Sequence, residues 1–246
     1  MIEGPVERIE SAYAAHFAER QAAIRDAGAV VREIPGAILF AARGRPHVDW
    51  MNVALASGRL TPDLLDRIRT FFREQGLPTR IESLSGEPPG FVPAGELFVL
   101  FILAGAPVPA PPEVTVRRAD RSTFSKFADL YVAAFGRPDI LRSDLDGWIG
   151  LENWRFYTAE VEGRPAGAAM LSLHGEAAYL ASAATRPEMR GHGVHAALLR
   201  RRMEDAAEAG CSIVFARAAP GGAGASGLMR AGLQLSHRKR IWVEAR

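Results

Sequence analysis

The chain has 246 residues, is 48% hydrophobic, and carries a formal net charge of +2 with a pI near 9.0. That composition excludes a disordered chain, and so small a basic excess without stacking aromatics excludes a nucleic-acid binder. A lone cysteine, Cys211, excludes an internal disulfide, and the longest apolar run, Leu97 to Ala104, falls far short of the ~20 residues of a membrane span.

The first half reads as a small α/β unit over residues 1–105. A helix is predicted from Pro5 to Ala27, then strands near 29–33, 36–42 and 49–56. Thr61 is placed to cap a helix with Pro62 in its first turn, and Gly76 stops that helix after Gln75. Leu64, Leu65, Ile68, Phe71 and Phe72 recur at three- and four-residue spacing, so one face is buried. Strands near 79–84 and 96–103 complete the half. The turn Arg43-Gly44-Arg45-Pro46-His47 is basic but no helix follows it, so this half is assigned a structural role, as a wall of the second half or a homodimer contact.

Residues 106–112, Ala-Pro-Val-Pro-Ala-Pro-Pro, form a linker that favours extended backbone. The second unit covers 113–246. It opens with a strand over 113–118, a helix capped by Ser122 that runs to Ala134, and a second helix over 139–151. A hairpin follows, 153–162 and 166–174, around Gly163-Arg164-Pro165. Next come a strand over 177–184, a long helix to about Ala209, a strand over 212–216, a short helix over 226–231 and a last strand over 235–243. Trp148, Trp154 and Trp242 read as core. The clusters Arg200-Arg201-Arg202 and Arg238-Lys239-Arg240 read as solvated faces.

Between the 177–184 strand and the long helix lies Arg190-Gly191-His192-Gly193-Val194-His195-Ala196. A basic, glycine-rich turn that opens a helix is an anion site: the first-turn amides lack internal partners, the helix dipole adds positive charge, and glycine admits a phosphate close to the backbone. A Walker-type loop needs Lys and then Ser or Thr after the second glycine, where Val194 and His195 stand. Gly191, Gly193 and Ala196 do satisfy a dinucleotide fingerprint. However, Pro187 to Arg190 separate the strand from the first glycine, and the next strand ends in Arg217 instead of a ribose-binding acid. Coenzyme A remains.

The segment Ala183-Ala184-Thr185-Arg186-Pro187-Glu188-Met189-Arg190-Gly191-His192-Gly193-Val194-His195 resembles the acetyl-CoA-binding segment of the GNAT superfamily of N-acetyltransferases. Arg190 and Gly193 match its Arg/Gln-x-x-Gly-x-Gly/Ala pattern, and His195 stands where Gly or Ala is usual. The loop Ala218-Ala219-Pro220-Gly221 and then Ser226 to Leu233 resemble the second cofactor segment, with Gly232-Leu233 where the family ends it in a Gly-Phe pair. The resemblance covers about residues 113–246, and the first half more weakly resembles the degenerate first unit of two-domain members. It implies an α/β fold with a mixed, partly splayed sheet, acetyl-CoA as cofactor, and direct attack of a small-molecule or peptide amine on the thioester.

By the same resemblance, the amides of Gly191, His192, Gly193, Val194, His195 and Ala196 hold the pyrophosphate with Arg190. The edge at Ala183 and Thr185 pairs with the pantetheine amides, because extended amides add to an open strand. No metal, membrane or nucleic acid is implied, and the expected compartment is the cytoplasm. The acid and base are not assigned. The strand over 177–184 lacks Asp and Glu, and Leu228 stands where many members carry a tyrosine. Ser182 and Ser226 are weak candidates with packing or capping as their plain roles. The acceptor is expected between the first two helices of the second half and the late strands, near Phe135-Gly136-Arg137-Pro138. A silent acyl-CoA sensor is the competing reading.

Overall fold

The computed structural model describes residues 4–24, 28–84, 86–109, 113–136 and 142–245. In the first half, α1 (Pro5–Ala22) precedes the antiparallel strands β1 (Ala29–Ile34), β2 (Ala37–Ala42) and β3 (Val53–Ala56). Helix α2 (Pro62–Glu74) then crosses to β4 (Arg80–Ser83), parallel to β3, and β5 (Phe91–Leu103) follows. The second half repeats the pattern. After β6 (Val114–Ala119), α3 (Phe124–Phe135) and α4 (Arg142–Trp148) come β7 (Trp154–Val161), β8 (Arg164–His174) and β9 (Ala177–Thr185). Helix α5 (Val194–Glu208) crosses to β10 (Ile213–Ala218), parallel to β9, and α6 (Ala223–Arg230) leads to β11 (Gln234–Glu244).

All eleven strands form one sheet in the order β1-β2-β3-β4-β11-β5-β10-β9-β8-β7-β6. The two halves exchange their last strands. β5 lies against β10 of the second half, and β11 lies against β4 of the first. The two exchanged strands pair antiparallel with each other at the centre, from Gln234↔Phe101 to Glu244↔Phe91. The proline-rich linker therefore divides the chain without dividing the sheet. Val108 of that linker is itself buried against the core beneath α5, while residues 110–112 lie outside the described residues.

Local chemistry explains most boundaries. Thr61 Oγ1 accepts the Leu64 amide at 3.3 Å, and all five apolar residues of the α2 stripe are buried. Each such burial stabilises by about 1.5–3 kcal/mol, which anchors α2 on β2, β3 and Trp242. Several boundaries differ from the sequence expectation, among them four with a visible cause or limit. Helix α1 ends at Ala22 among the described residues, which omit 25–27. The stretch 49–56 opens with a single helical turn, Asp49–Met51, before β3. Strand β5 begins five residues before Glu96, at Phe91, because β11 pairs along its whole length. Helix α3 begins after Thr123, not Ser122, since Asp120 Oδ1 already accepts the amides of both Ser122 and Thr123 at 2.9 Å.

The two arginine-rich clusters are not wholly solvated. Arg202 is 1% exposed and Lys239 is 2% exposed. Trp148, Trp154 and Trp242 are buried. Among the described residues no helix is long and apolar enough to cross a membrane, and no cluster of His, Cys, Asp and Glu could hold a metal ion. Cys211 is buried, which raises its thiol pKa.

Candidate functional site

Strands β9 and β10 pair only at Ala177↔Ile213, Ala178↔Val214 and Tyr179↔Phe215. Both continue, β9 to Thr185 and β10 to Ala218, without pairing to each other. The break has a local cause. Between Met170↔Ser182 and Ser172↔Tyr179 the β8–β9 register shifts, so Leu180 and Ala181 stand opposite Leu171 alone. Such a bulge bends a strand and increases its twist. Past it, β9 leans away from β10 and keeps an edge that no strand covers.

Arg202 holds the bulge from α5. Its Nη1 donates to the carbonyls of Met170 (3.2 Å) and Ser182 (3.4 Å), one on each side of the irregularity. Its Nε donates to Leu198 O at 3.0 Å. Burial lowers its pKa to about 10, which still leaves it charged at neutral pH. Asp205, one turn further along α5, accepts from Tyr157 Oη at 2.6 Å and so fastens the helix to β7.

The turn before α5 has the geometry an anion needs. Gly191 and Gly193 are left-handed, at φ 84° and 73°, a conformation that costs other residues roughly 1–2 kcal/mol. Gly193 is the N-cap, and Ala197 N–H is the amide that bonds back to Gly193 O, at 3.0 Å. The amides of Val194, His195 and Ala196 are the free first-turn donors. At the matching place in the first half, between β3 and α2, the segment 57–60 holds one glycine, which is not left-handed, and Thr61 caps the helix with its own side chain. Among the described residues, only the second half places left-handed glycines directly before the crossover helix.

A cavity of about 390 Å³ opens at this turn. Thr185, Arg190, Gly191, Gly193, Val194, His195 and Ala196 line it together with Gly227 and Arg230 of α6, Ala231 at its C-cap, and Pro109 of the linker. The sequence singled out the first seven, and the resemblance places the stretch Ser226 to Leu233 at the cofactor, whereas the linker came only from the fold. His192 points away, exposed, with Nδ1 3.1 Å from Arg190 O, and Ala183 lies two residues back along the same strand, outside the lining. His195 packs on α6 beside Gly227, so closely that a Cβ added to that glycine would sit 3.6 Å from the imidazole ring. Burial, with the charges of Arg202 and Arg230, lowers the His195 pKa to about 4, so the ring is neutral at pH 7.

The two serines do not converge on this cavity. Ser182 contributes its carbonyl to Arg202 and Ser226 lies exposed on α6. Leu228 is buried in the core beneath α5. On the other face of the sheet, a second cavity of about 350 Å³ lies under α1, bounded by Tyr179 of β9 and Arg217 of β10. It occupies a place different from the cleft expected beside α3 and α4. Residues 137–141 of that expected cleft lie outside the described residues.

Residues 124–233 match the family model of the Acetyltransferase (GNAT) family. The chain therefore carries a GNAT acetyltransferase domain, preceded by a half that repeats its strand order. A GCN5-related N-acetyltransferase from Kribbella flavida has the same fold with a TM-score of 0.72 at 17% identity, covering 98% of this chain and 96% of that one. A GCN5-related N-acetyltransferase from Sphaerobacter thermophilus gives 0.64 at 17% identity over 98% and 94%. A tandem GNAT protein from the clavulanic acid biosynthesis pathway gives 0.60 at 14% identity over 98% and 87%. No curated protein matches the chain.

Proposed function

We propose that this chain transfers the acetyl group of acetyl-CoA to a primary amine of a small molecule or peptide by direct attack. The observation that carries the reading is the uncovered β9 edge running into the left-handed Gly191–Gly193 turn at the rim of one cavity. Acetyl-CoA supplies an activated thioester carbonyl. The chain's own groups do the rest. The amides of His192 to Ala196 hold the diphosphate, and the side-chain-free Gly191 and Gly193 let it approach. Arg190 and Arg230 add positive charge from opposite sides of the cavity. Extended amides of the cofactor arm add to β9 at Ala183 and Thr185. A β9 amide past the bulge donates to the carbonyl oxygen as charge develops on it.

Removal of the amine proton needs no dedicated carboxylate here. β9 has none, but burial at the gap disfavours an ammonium and lowers the pKa of an amine placed there. The buried Leu228, where many members carry a tyrosine, favours a second reading, a sensor that binds acyl-CoA without turnover. Titration calorimetry with acetyl-CoA, CoA and NAD identifies the ligand, and thiol release from acetyl-CoA with pooled amines separates enzyme from sensor. Binding of NAD in preference to CoA refutes both readings.

A further inference from the structure

The cavity under α1 lies against the gap between β9 and β10, on the face opposite the glycine turn. Tyr179 is the last β9 residue paired to β10, and Arg217 follows the last paired β10 residue by two. Its other walls come largely from the first half: Tyr13 and Arg20 of α1, Trp50, and Glu82 of β4.

The charges in this cavity do not cancel. Arg217 is 7% exposed, lies over the Tyr13 ring at 3.8 Å, and pairs through Nη2 with Glu82 at 2.5 Å. Glu82 also faces Lys239 at 3.2 Å, so its charge is fully met. Asp49, the other acid of the lining, pairs with Arg80 at 3.1 Å. Arg20 is left over. Its guanidinium stacks over Trp50 at 4.6 Å and Phe17 at 5.3 Å, and it makes no ion pair among the described residues. The Nε–H groups of both Arg20 and Arg217 are buried without an acceptor. Buried donors left unmet are destabilising, and planar guanidinium groups meet carboxylates in charge-assisted pairs.

Resting on the acetyltransfer reading, we infer that this cavity is the acceptor site and that the acceptor is a carboxylated amine of the amino-acid class. Its carboxylate is held by Arg20 and Arg217, and its amine lies at the gap. A volume of about 350 Å³ suits a molecule of that size. The first half then supplies the specificity of a reaction whose donor site lies wholly in the second half and the linker.

The test uses matched pairs, namely lysine and cadaverine, arginine and agmatine, tyrosine and tyramine, glutamate and 4-aminobutyrate, with glycine and phosphoethanolamine added. Each is measured by calorimetry against the intact protein, with and without saturating CoA, and by thiol release from acetyl-CoA. The expected result is that at least one α-carboxylated member binds, at least tenfold tighter than its decarboxylated partner. Arg20→Met should erase that preference, Arg20→Lys should restore part of it, and both should bind CoA as the wild type does. Equal binding within every pair, tighter binding of phosphoethanolamine, or no binding by any carboxylated amine overturns the inference. Failure of wild-type protein to bind CoA refutes the acetyltransfer reading instead, and the CoA-free titrations still score the cavity.

Discussion

A single methyl group at Gly167 should separate the helix that bears the anion turn from the strand that bears the open edge. Gly167 lies on β8, facing both. A Cβ there would sit 2.7 Å from the Ala184 carbonyl oxygen and 2.8 Å from Val194 Cγ1. Carbon pairs rest at roughly 3.5–4.0 Å, so Val194 must retreat by about 1 Å. The Ala184 contact is to backbone and cannot be relieved by a rotamer change. Overpacking of this kind costs typically about 1–3 kcal/mol. In a chain of this size each kcal/mol lowers Tm by roughly 2–4 °C, so Gly167→Ala should melt about 2–12 °C early. Val194 opens α5 and Ala184 lies between the two expected edge positions, Ala183 and Thr185. The displacement should therefore also weaken CoA binding, by at least tenfold in calorimetry, while far-UV circular dichroism stays unchanged. A variant with wild-type Tm and wild-type CoA affinity would refute the claim that this close approach sets the geometry of the donor site.

Gly193→Glu places a carboxylate and a Cβ at a left-handed residue of the turn, and should abolish CoA binding in the same calorimetric assay while the fold survives. Lys239→Met removes the cation that bridges Glu10 of α1 and Glu82 of β4, which should destabilise the protein by about 3 kcal/mol in urea unfolding. An unchanged urea midpoint would mean the buried network does not fasten the halves together. His16, His174 and His195 are all held below the usual histidine pKa by burial, His195 at about 4. Between about pH 6.5 and pH 4 the unfolded chain takes up protons that the folded one refuses, so stability should fall as pH drops through that window. Glu10, whose burial is outweighed by His237 and Lys239 and whose pKa is about 2, loses its contribution only below about pH 4.5. Melting curves from pH 7.5 to 5 that show no decline would contradict the histidine assignment.

Much of the proposed donor site is legible in the residues themselves. A turn with glycine at 191 and 193 is readable because left-handed backbone demands that residue, and a helix after it exposes amides whatever the rest of the fold does. The apolar stripe of α2 and its Thr61 cap are readable for the same reason, since both are consequences of local spacing. The burial of Arg202 and Lys239 is not readable, because an arginine-rich run looks the same whether its members face water or a bulge. It depends on carbonyls and carboxylates from β8, β9, α1 and β4, none of them near in sequence.

Local pattern thus determined where the helices and strands form and where a left-handed glycine turn opens a helix, because capping, glycine conformation and apolar period act within a few residues. The tertiary structure alone decided that β5 and β11 change places, that β9 parts from β10 at a bulge held by Arg202, and that Arg20 of the first half shares a cavity with Arg217 of the second. Those outcomes follow from long-range strand pairing and from the need of buried charges for partners, and neither leaves a periodic mark on the chain.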